Sequence, residues 1–251
     1  MPTDAKLVRK VFADVHRGLP RQAPGSFAST QRAFSACDKD VYRILDIGCG
    51  PGMNALQLAD IAPHAIIIGV DLNRSFIEEA NLRAANARVA DRVSFQEGDM
   101  ANLPFADQYF DAIWSEGAAY FMGVENALDS WRSLLAPGGV IAYTDAVFLH
   151  DNPPQELASW WLSQYPDMQT MARREAQGEA LGFQLLDSFA LPDADWWEYY
   201  KPMQERIDSL REKYQGDLNA ESVLESCQLE IDMYGKYSKD YGYGFFIQQI
   251  D

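Results

Sequence analysis

The chain has 251 residues, 47% of them hydrophobic and 23% charged, with 21 basic against 37 acidic side chains and a formal net charge of −16. That balance argues against nucleic acid or an anionic membrane surface as a partner, because both are recognised by clustered cations. It also excludes a disordered chain, and the length suits one large domain, or a domain with insertions, around a sizeable core.

Residues 1–40 read as an N-terminal helical arm, broken at Gln22-Ala23-Pro24-Gly25-Ser26, an irregular surface connection. The opening Met1-Pro2-Thr3-Asp4-Ala5-Lys6 meets charge at once, unlike a secretory signal. The longest aliphatic stretch, residues 61–70, is interrupted by Pro63 and His64, far short of a membrane span. Short apolar runs at 42–47, 65–70, 93–96, 110–114 and 140–148 predict buried strands. Helical patterns at 53–61, 75–87 and 124–135 separate them, the last closed by Pro137-Gly138-Gly139. This alternation predicts an α/β fold with a doubly wound, mostly parallel sheet, which binds ligands at the carboxyl ends of its strands. Further strands are expected at 183–191 and 241–250. The core is thus 41–191 with 241–251, and 192–240 is a helical cap insertion before the last strand. In that insertion Trp196, Tyr200, Met203, Ile207 and Leu210 recur at helical spacing and form one apolar face.

The strongest local signal is Asp46-Ile47-Gly48-Cys49-Gly50-Pro51-Gly52-Met53, between a strand and a helix. Glycines there let the backbone turn sharply and approach a ligand, with helix N-terminal amides facing it. Asp71 follows the second strand and suits the two hydroxyls of a ribose; Asp99 follows the third and suits an exocyclic amine, with Met100 against the ring. A dinucleotide loop would carry a third glycine or alanine where Met53 stands, and the charge of Asp46 would repel a pyrophosphate while favouring an ammonium or sulfonium. No Gly-Lys-Ser/Thr follows, so a P-loop is excluded.

The stretches ILDIGCGPG, GVDLN, VSFQEGDMANLPF, FDAIWSEGA and LLAPGGVIAYTD, in this order over residues 40–150, resemble the class I S-adenosylmethionine-dependent methyltransferases. The likeness is greatest to their small-molecule branch, which includes ubiquinone-biosynthesis-type and glycine/sarcosine-type enzymes. The resemblance implies a Rossmann-like, seven-stranded sheet with a reversed last strand. It also implies S-adenosyl-L-methionine as cofactor and S-adenosyl-L-homocysteine as product. The cofactor-binding residues it implies are Asp46, Gly48, Gly50, Gly52, Asp71, Leu72, Asp99, Met100 and Ser115. In such enzymes a segment like 22–26 commonly closes over the cofactor.

Glu116, in the loop after the fourth strand, is the candidate catalytic residue, set to orient or deprotonate a nucleophile or to bind an ammonium. Tyr120 and the cluster Trp196, Tyr199 and Tyr200 are the candidate substrate-binding residues, able to line an apolar pocket or stack on a cation. His16, His64 and His150 are isolated, although His150 follows the fifth strand and is placed to border the pocket; no grouping has metal-ligand spacing. Cys37, Cys49 and Cys227 read as reduced thiols of a cytoplasmic protein. Together these features predict methyl transfer to a small-molecule acceptor, by a monomer or homodimer with no nucleic-acid or membrane partner. An NAD-dependent oxidoreductase and a non-catalytic cofactor-binding protein are the competing readings.

Overall fold

The computed structural model describes residues 5–251; Met1–Asp4, and with them most of the N-terminal segment weighed above for a signal, lie outside the described residues. Two helices precede the sheet, α1 (Ala5–His16) and α2 (Phe27–Ser35). The alternating part then runs β1 (Arg43–Ile47), α3 (Met53–Ile61), β2 (Ile66–Asp71), α4 (Arg74–Asn86), β3 (Val93–Glu97), β4 (Phe110–Glu116), α5 (Val124–Trp131) and β5 (Leu135–Phe148). It is followed by α6 (Gln155–Gln164), β6 (Gln169–Thr170), α7 (Met171–Ala180), β7 (Gln184–Ala190), α8 (Asp193–Lys213), α9 (Leu218–Tyr237) and β8 (Tyr241–Gln249).

Seven strands run in the order β3-β2-β1-β4-β5-β8-β7, and the two-residue β6 pairs with the end of β5. β8 is antiparallel to both neighbours, as the resemblance implies, and the other long pairings in β1 to β5 are parallel. The strand order reverses between β1 and β4, which opens a crevice above their carboxyl ends. β6, unforeseen in the sequence, makes the sheet eight-stranded.

Successive residues of a strand face opposite sides of the sheet. Ile44 of β1 packs with Ala55, Leu58 and Ile77 from α3 and α4 on one face, whereas Leu45 and Ile47 pack with Leu128 and Trp131 of α5 on the other. The Pro137-Gly138-Gly139 segment does not end the sequence-predicted helix 124–135. That helix stops at Trp131, a 3-10 turn covers Arg132–Leu134, and β5 already starts at Leu135. The register between β4 and β5 shifts there, from Phe110 opposite Leu135 to Ala112 opposite Val140, so the extra residues form a bulge.

α1, α8 and α9 pack together over the carboxyl end of the sheet. The apolar face expected on the insertion is buried there, with Trp196, Tyr200, Met203, Ile207 and Leu210 against Val11, Val15, Leu224 and Ile231. A fully buried ion pair links β5 to α7, with Arg174 Nε donating to Asp145 Oδ2 at 2.7 Å. No helix of the described residues is long and apolar enough to cross a membrane.

Candidate active site

At the end of β1 the chain turns back over β2. The amides of Gly48 and Cys49 both donate to the Val70 carbonyl, at 2.8 and 3.1 Å, and the Gly52 amide donates to the Cys49 carbonyl. The Gly50 amide donates to Asp71 Oδ2 at 2.9 Å, while Asn73 donates to Asp71 Oδ1 at 2.8 Å. Each carboxylate oxygen has two lone pairs, so Asp71 keeps an acceptor site on both. Gly50 has φ +52°, and a Cβ built on it would meet only Gln22 Cγ, at 3.6 Å. The side chain missing from Gly50 leaves a cradle beside Asp71.

This cradle is one side of a cavity of about 1100 Å³ that runs along the carboxyl ends of the strands. Of the residues singled out in the sequence, Gly48, Gly50, Asp71, Leu72, Asp99, Met100, Glu116, Tyr120, Trp196 and Tyr199 line it. Four do not. Gly52 turns the other way: its Cβ direction meets Ala80 and Phe95 at 2.8 Å, so glycine is needed there to pack α3 on α4 and β3. Ser115 and Tyr200 are fully buried behind the wall, and Tyr200 donates to Glu230 Oε1 at 3.1 Å. Asp46 is also buried, with neither carboxyl oxygen hydrogen-bonded. Burial, together with the charges of Glu116 and Asp71, pushes its carboxyl well above the usual carboxylate range. The distinction from a dinucleotide loop is carried also by Met53.

The break in the N-terminal arm is not a surface connection. Arg21, Gln22, Ala23 and Pro24 line the cavity, and the strap they form is fixed to four elements. Arg21 donates to Asn54 Oδ1 and Gln57 Oε1 of α3 at 2.9 and 3.2 Å. The Pro20 carbonyl accepts from Arg83 of α4. Gly25 donates to the Asp195 carbonyl of α8, and Ser29 of α2 donates to the Asp195 carboxylate at 2.6 Å. The fourth anchor is Glu116 on β4.

Glu116, chosen from the sequence as the group next to the chemistry, lines the cavity, and its Oε1 is taken up by the protein itself. Its Oε1 accepts from Trp114 Nε1 at 2.8 Å and from Thr30 Oγ1 at 3.0 Å, and its Oε2 lies 3.8 Å from Arg21 Nη1. Burial raises its pKa; Arg21, Trp114 and Thr30 work against that rise. A Cβ on Gly25 would fall 1.9 Å from Arg21 Nη1 and 2.9 Å from Glu116 Oε2, so a side chain at 25 would split this pair. Glu116→Gln keeps the acceptor for Trp114 and Thr30 but loses the charge opposite Arg21. We expect trypsin to cut more quickly at Arg17 and Arg21 in this variant while its sheet core stays resistant, which limited proteolysis reads directly.

Asp99 is exposed and its Oδ1 accepts from the Ala101 amide at 2.9 Å, while the Met100 carbonyl accepts from Trp131 Nε1 at 3.0 Å. His150 does not border the cavity; it pairs with Asp240 at 2.9 Å. His16 does, and burial lowers its pKa. Arg21, His16, Trp161, Glu230 and Tyr243 also line this cavity without a sequence signal, brought in by the strap, α1, α6, α9 and β8 from remote parts of the chain.

Residues 44–139 match the model of the methyltransferase domain family. The chain is 31% identical over 152 residues to methyltransferase GfsG of Streptomyces halstedii, a match covering 57% of this chain and 54% of that protein. It is 36% identical over 109 residues to the 27-O-demethylrifamycin SV methyltransferase of Amycolatopsis mediterranei, covering 41% and 38%. The matched region thus spans about half the length of these curated relatives, or less. The crystal structure of a SAM-dependent methyltransferase from Geobacter sulfurreducens, in complex with S-adenosyl-L-homocysteine, superposes with a TM-score of 0.81 over 96% of this chain and 98% of that one, at 23% identity. That likeness is one of fold. Residues 44–139 thus carry a methyltransferase domain, and the fold built around it is the one seen in the S-adenosyl-L-homocysteine complex of the Geobacter enzyme.

Proposed function

We propose that this chain transfers a methyl group from S-adenosyl-L-methionine to a small-molecule acceptor by direct in-line displacement. The observation that carries the reading is the cradle at Gly50 beside Asp71, whose carboxylate is oriented by two backbone amides and keeps acceptor sites open. In this reading Asp71 takes the ribose hydroxyls, Asp99 and Met100 meet the adenine, and Gly48 and Gly50 leave room for the methionine portion. When bound, the cofactor supplies a methyl group already activated on a sulfonium.

What remains for the chain is to place the acceptor and exclude water. The strap 17–26 covers the cavity, and Glu116 is a positioning residue that ties the strap to β4 through Arg21 and Thr30. A strong base is not required of it. Cys37, Cys49 and Cys227 are all free thiols, in keeping with a cytoplasmic protein. The competing NAD reading has no observation in its favour, with Met53 where the dinucleotide loop needs a small residue.

The test is incubation of the protein with methyl-labelled S-adenosylmethionine and a small-molecule extract. Label in a small-molecule product, with S-adenosylhomocysteine formed in equal amount, is the expected result. Label found in protein or nucleic acid instead would overturn the acceptor class.

A further inference from the structure

The cavity's two ends differ in chemistry. Away from the Gly50–Asp71 cradle its wall is made by Tyr120, Trp161, Trp196, Tyr199, Tyr243 and Glu230. All of these rings except Tyr120 interlock: Trp196 lies 5.1 Å from Tyr243 edge to face, and Tyr199 lies 5.3 Å from Tyr200, centroid to centroid. A second layer stiffens it, with Tyr234 stacked on Trp196 at 4.2 Å and Tyr241 edge-on to Trp161 at 5.2 Å. Glu230, on α9, is set among these rings.

Charge at this end is one-sided. Tyr200 is the hydrogen-bond donor that Glu230 meets among the described residues, and it occupies one carboxylate oxygen. The cations that line the cavity are engaged elsewhere, Arg21 with Glu116, Asn54 and Gln57, and Arg17 with Asp14. His16, within 3.3 Å of the Tyr199 hydroxyl, is held towards its neutral form by burial. Burial raises the Glu230 carboxyl, with the Tyr200 hydroxyl working against the rise. Glu230 is partly exposed, and a partly buried carboxylate with no cation beside it, set against an aromatic wall, is stabilised when a positive ligand joins it. Aromatic faces attract the same ligand, since their π clouds present negative charge.

We propose that this end of the cavity is the acceptor subsite and that it takes an organic ammonium, with Glu230 as the specificity-determining carboxylate inside the aromatic wall. The assignment as an acceptor subsite rests on the methyl-transfer reading; the preference for a cation does not. The amine-bearing molecule is held by its charge, with an N–H or the charged methyl groups of the ammonium against Glu230 and the rings.

The probes are choline and its neutral carbon isostere 3,3-dimethylbutan-1-ol, each titrated into the full chain by calorimetry, with and without S-adenosylhomocysteine. Choline is expected to bind at least ~10-fold more tightly than the isostere. In Glu230→Gln, which keeps the acceptor for Tyr200, that preference falls to about twofold or less while S-adenosylhomocysteine affinity is unchanged. Tyr120→Leu, at a partly exposed ring, weakens choline several-fold and leaves the isostere as it was. Equal binding of the two probes, no binding of either, or a preference that survives in Glu230→Gln would overturn the proposal. Loss of S-adenosylhomocysteine binding with the cation preference intact would instead overturn the cofactor reading alone.

Discussion

Replacing Asp71 with alanine is expected to weaken S-adenosylhomocysteine binding by about 3 kcal/mol, roughly 100-fold, without unfolding the protein. Two effects add. The charged acceptor for the ribose hydroxyls is lost, and the Gly50 and Asn73 amides lose the oxygens that fix the loop, at 2.9 and 2.8 Å. Asp71 is only half-buried at the end of β2, so its removal leaves no cavity in the core. Asp71→Asn keeps one acceptor oxygen and loses the charge, so a smaller loss of about tenfold is expected. Calorimetry on the folded variants measures both. Unchanged affinity in Asp71→Ala would remove the ribose assignment.

The second large effect is on stability. Arg174→Met should destabilise the fold by about 3–5 kcal/mol, because it strands Asp145 in the core. Arg174 is fully buried; it donates to Asp145 Oδ2, to Asp167 Oδ2 at 3.0 Å and to the Asp167 carbonyl at 2.6 Å. Tyr165 caps the same carboxylate, at 3.1 Å, and its ring lies 5.8 Å from that of Tyr120 at the cavity. Even with Arg174 beside it, burial raises the Asp145 carboxyl to about 6. A carboxyl raised in the folded state contributes stability that is present below its unfolded pKa, near 4, and is lost as pH rises through about 6. Without Arg174 the folded pKa climbs further. The stability gap between the native chain and the variant is therefore widest at about pH 8 and narrows towards about pH 5, where Asp145 is protonated and needs no cation. Thermal unfolding at the two pH values reads this, with a shift of roughly 10 °C at the higher one. A gap that does not change with pH would contradict the assignment of the cost to Asp145.

The sequence and the structure agree where local chemistry decides. β1, β2, β3 and β4 are short apolar runs bounded by glycines or acids, and α3 occupies 53–61 as its periodicity indicates. The glycine loop and the acids after β2 and β3 were legible because a strand end, a sharp turn and an acid recur within a few residues of one another. Where the agreement fails, contacts between distant parts of the chain decide. The Pro137-Gly138-Gly139 segment reads as a helix stop, but pairing of β5 with β4 absorbs it as a bulge. The strap around Pro24 reads as surface because proline and glycine usually mark exposed turns; its burial depends on Arg21 meeting Glu116, 95 positions away. Glu116 itself reads as a free acid in a catalytic loop, whereas Trp114 and Thr30 hold its Oε1 and Arg21 faces its Oε2, which has no hydrogen-bond partner among the described residues. Glu230 lies in a helix with no motif at all, and its surroundings come from the β4–α5 connection, α6, α8 and β8.

The account depends most on what occupies the Gly50–Asp71 cradle. Titration calorimetry of the full chain with S-adenosylhomocysteine, run beside NAD under the same conditions, measures that directly. One mole of S-adenosylhomocysteine bound per mole of chain, with micromolar affinity that Asp71→Ala reduces about 100-fold and with no heat from NAD, is the predicted result. Absence of S-adenosylhomocysteine binding at millimolar concentration, or saturable binding of NAD in its place, would contradict it.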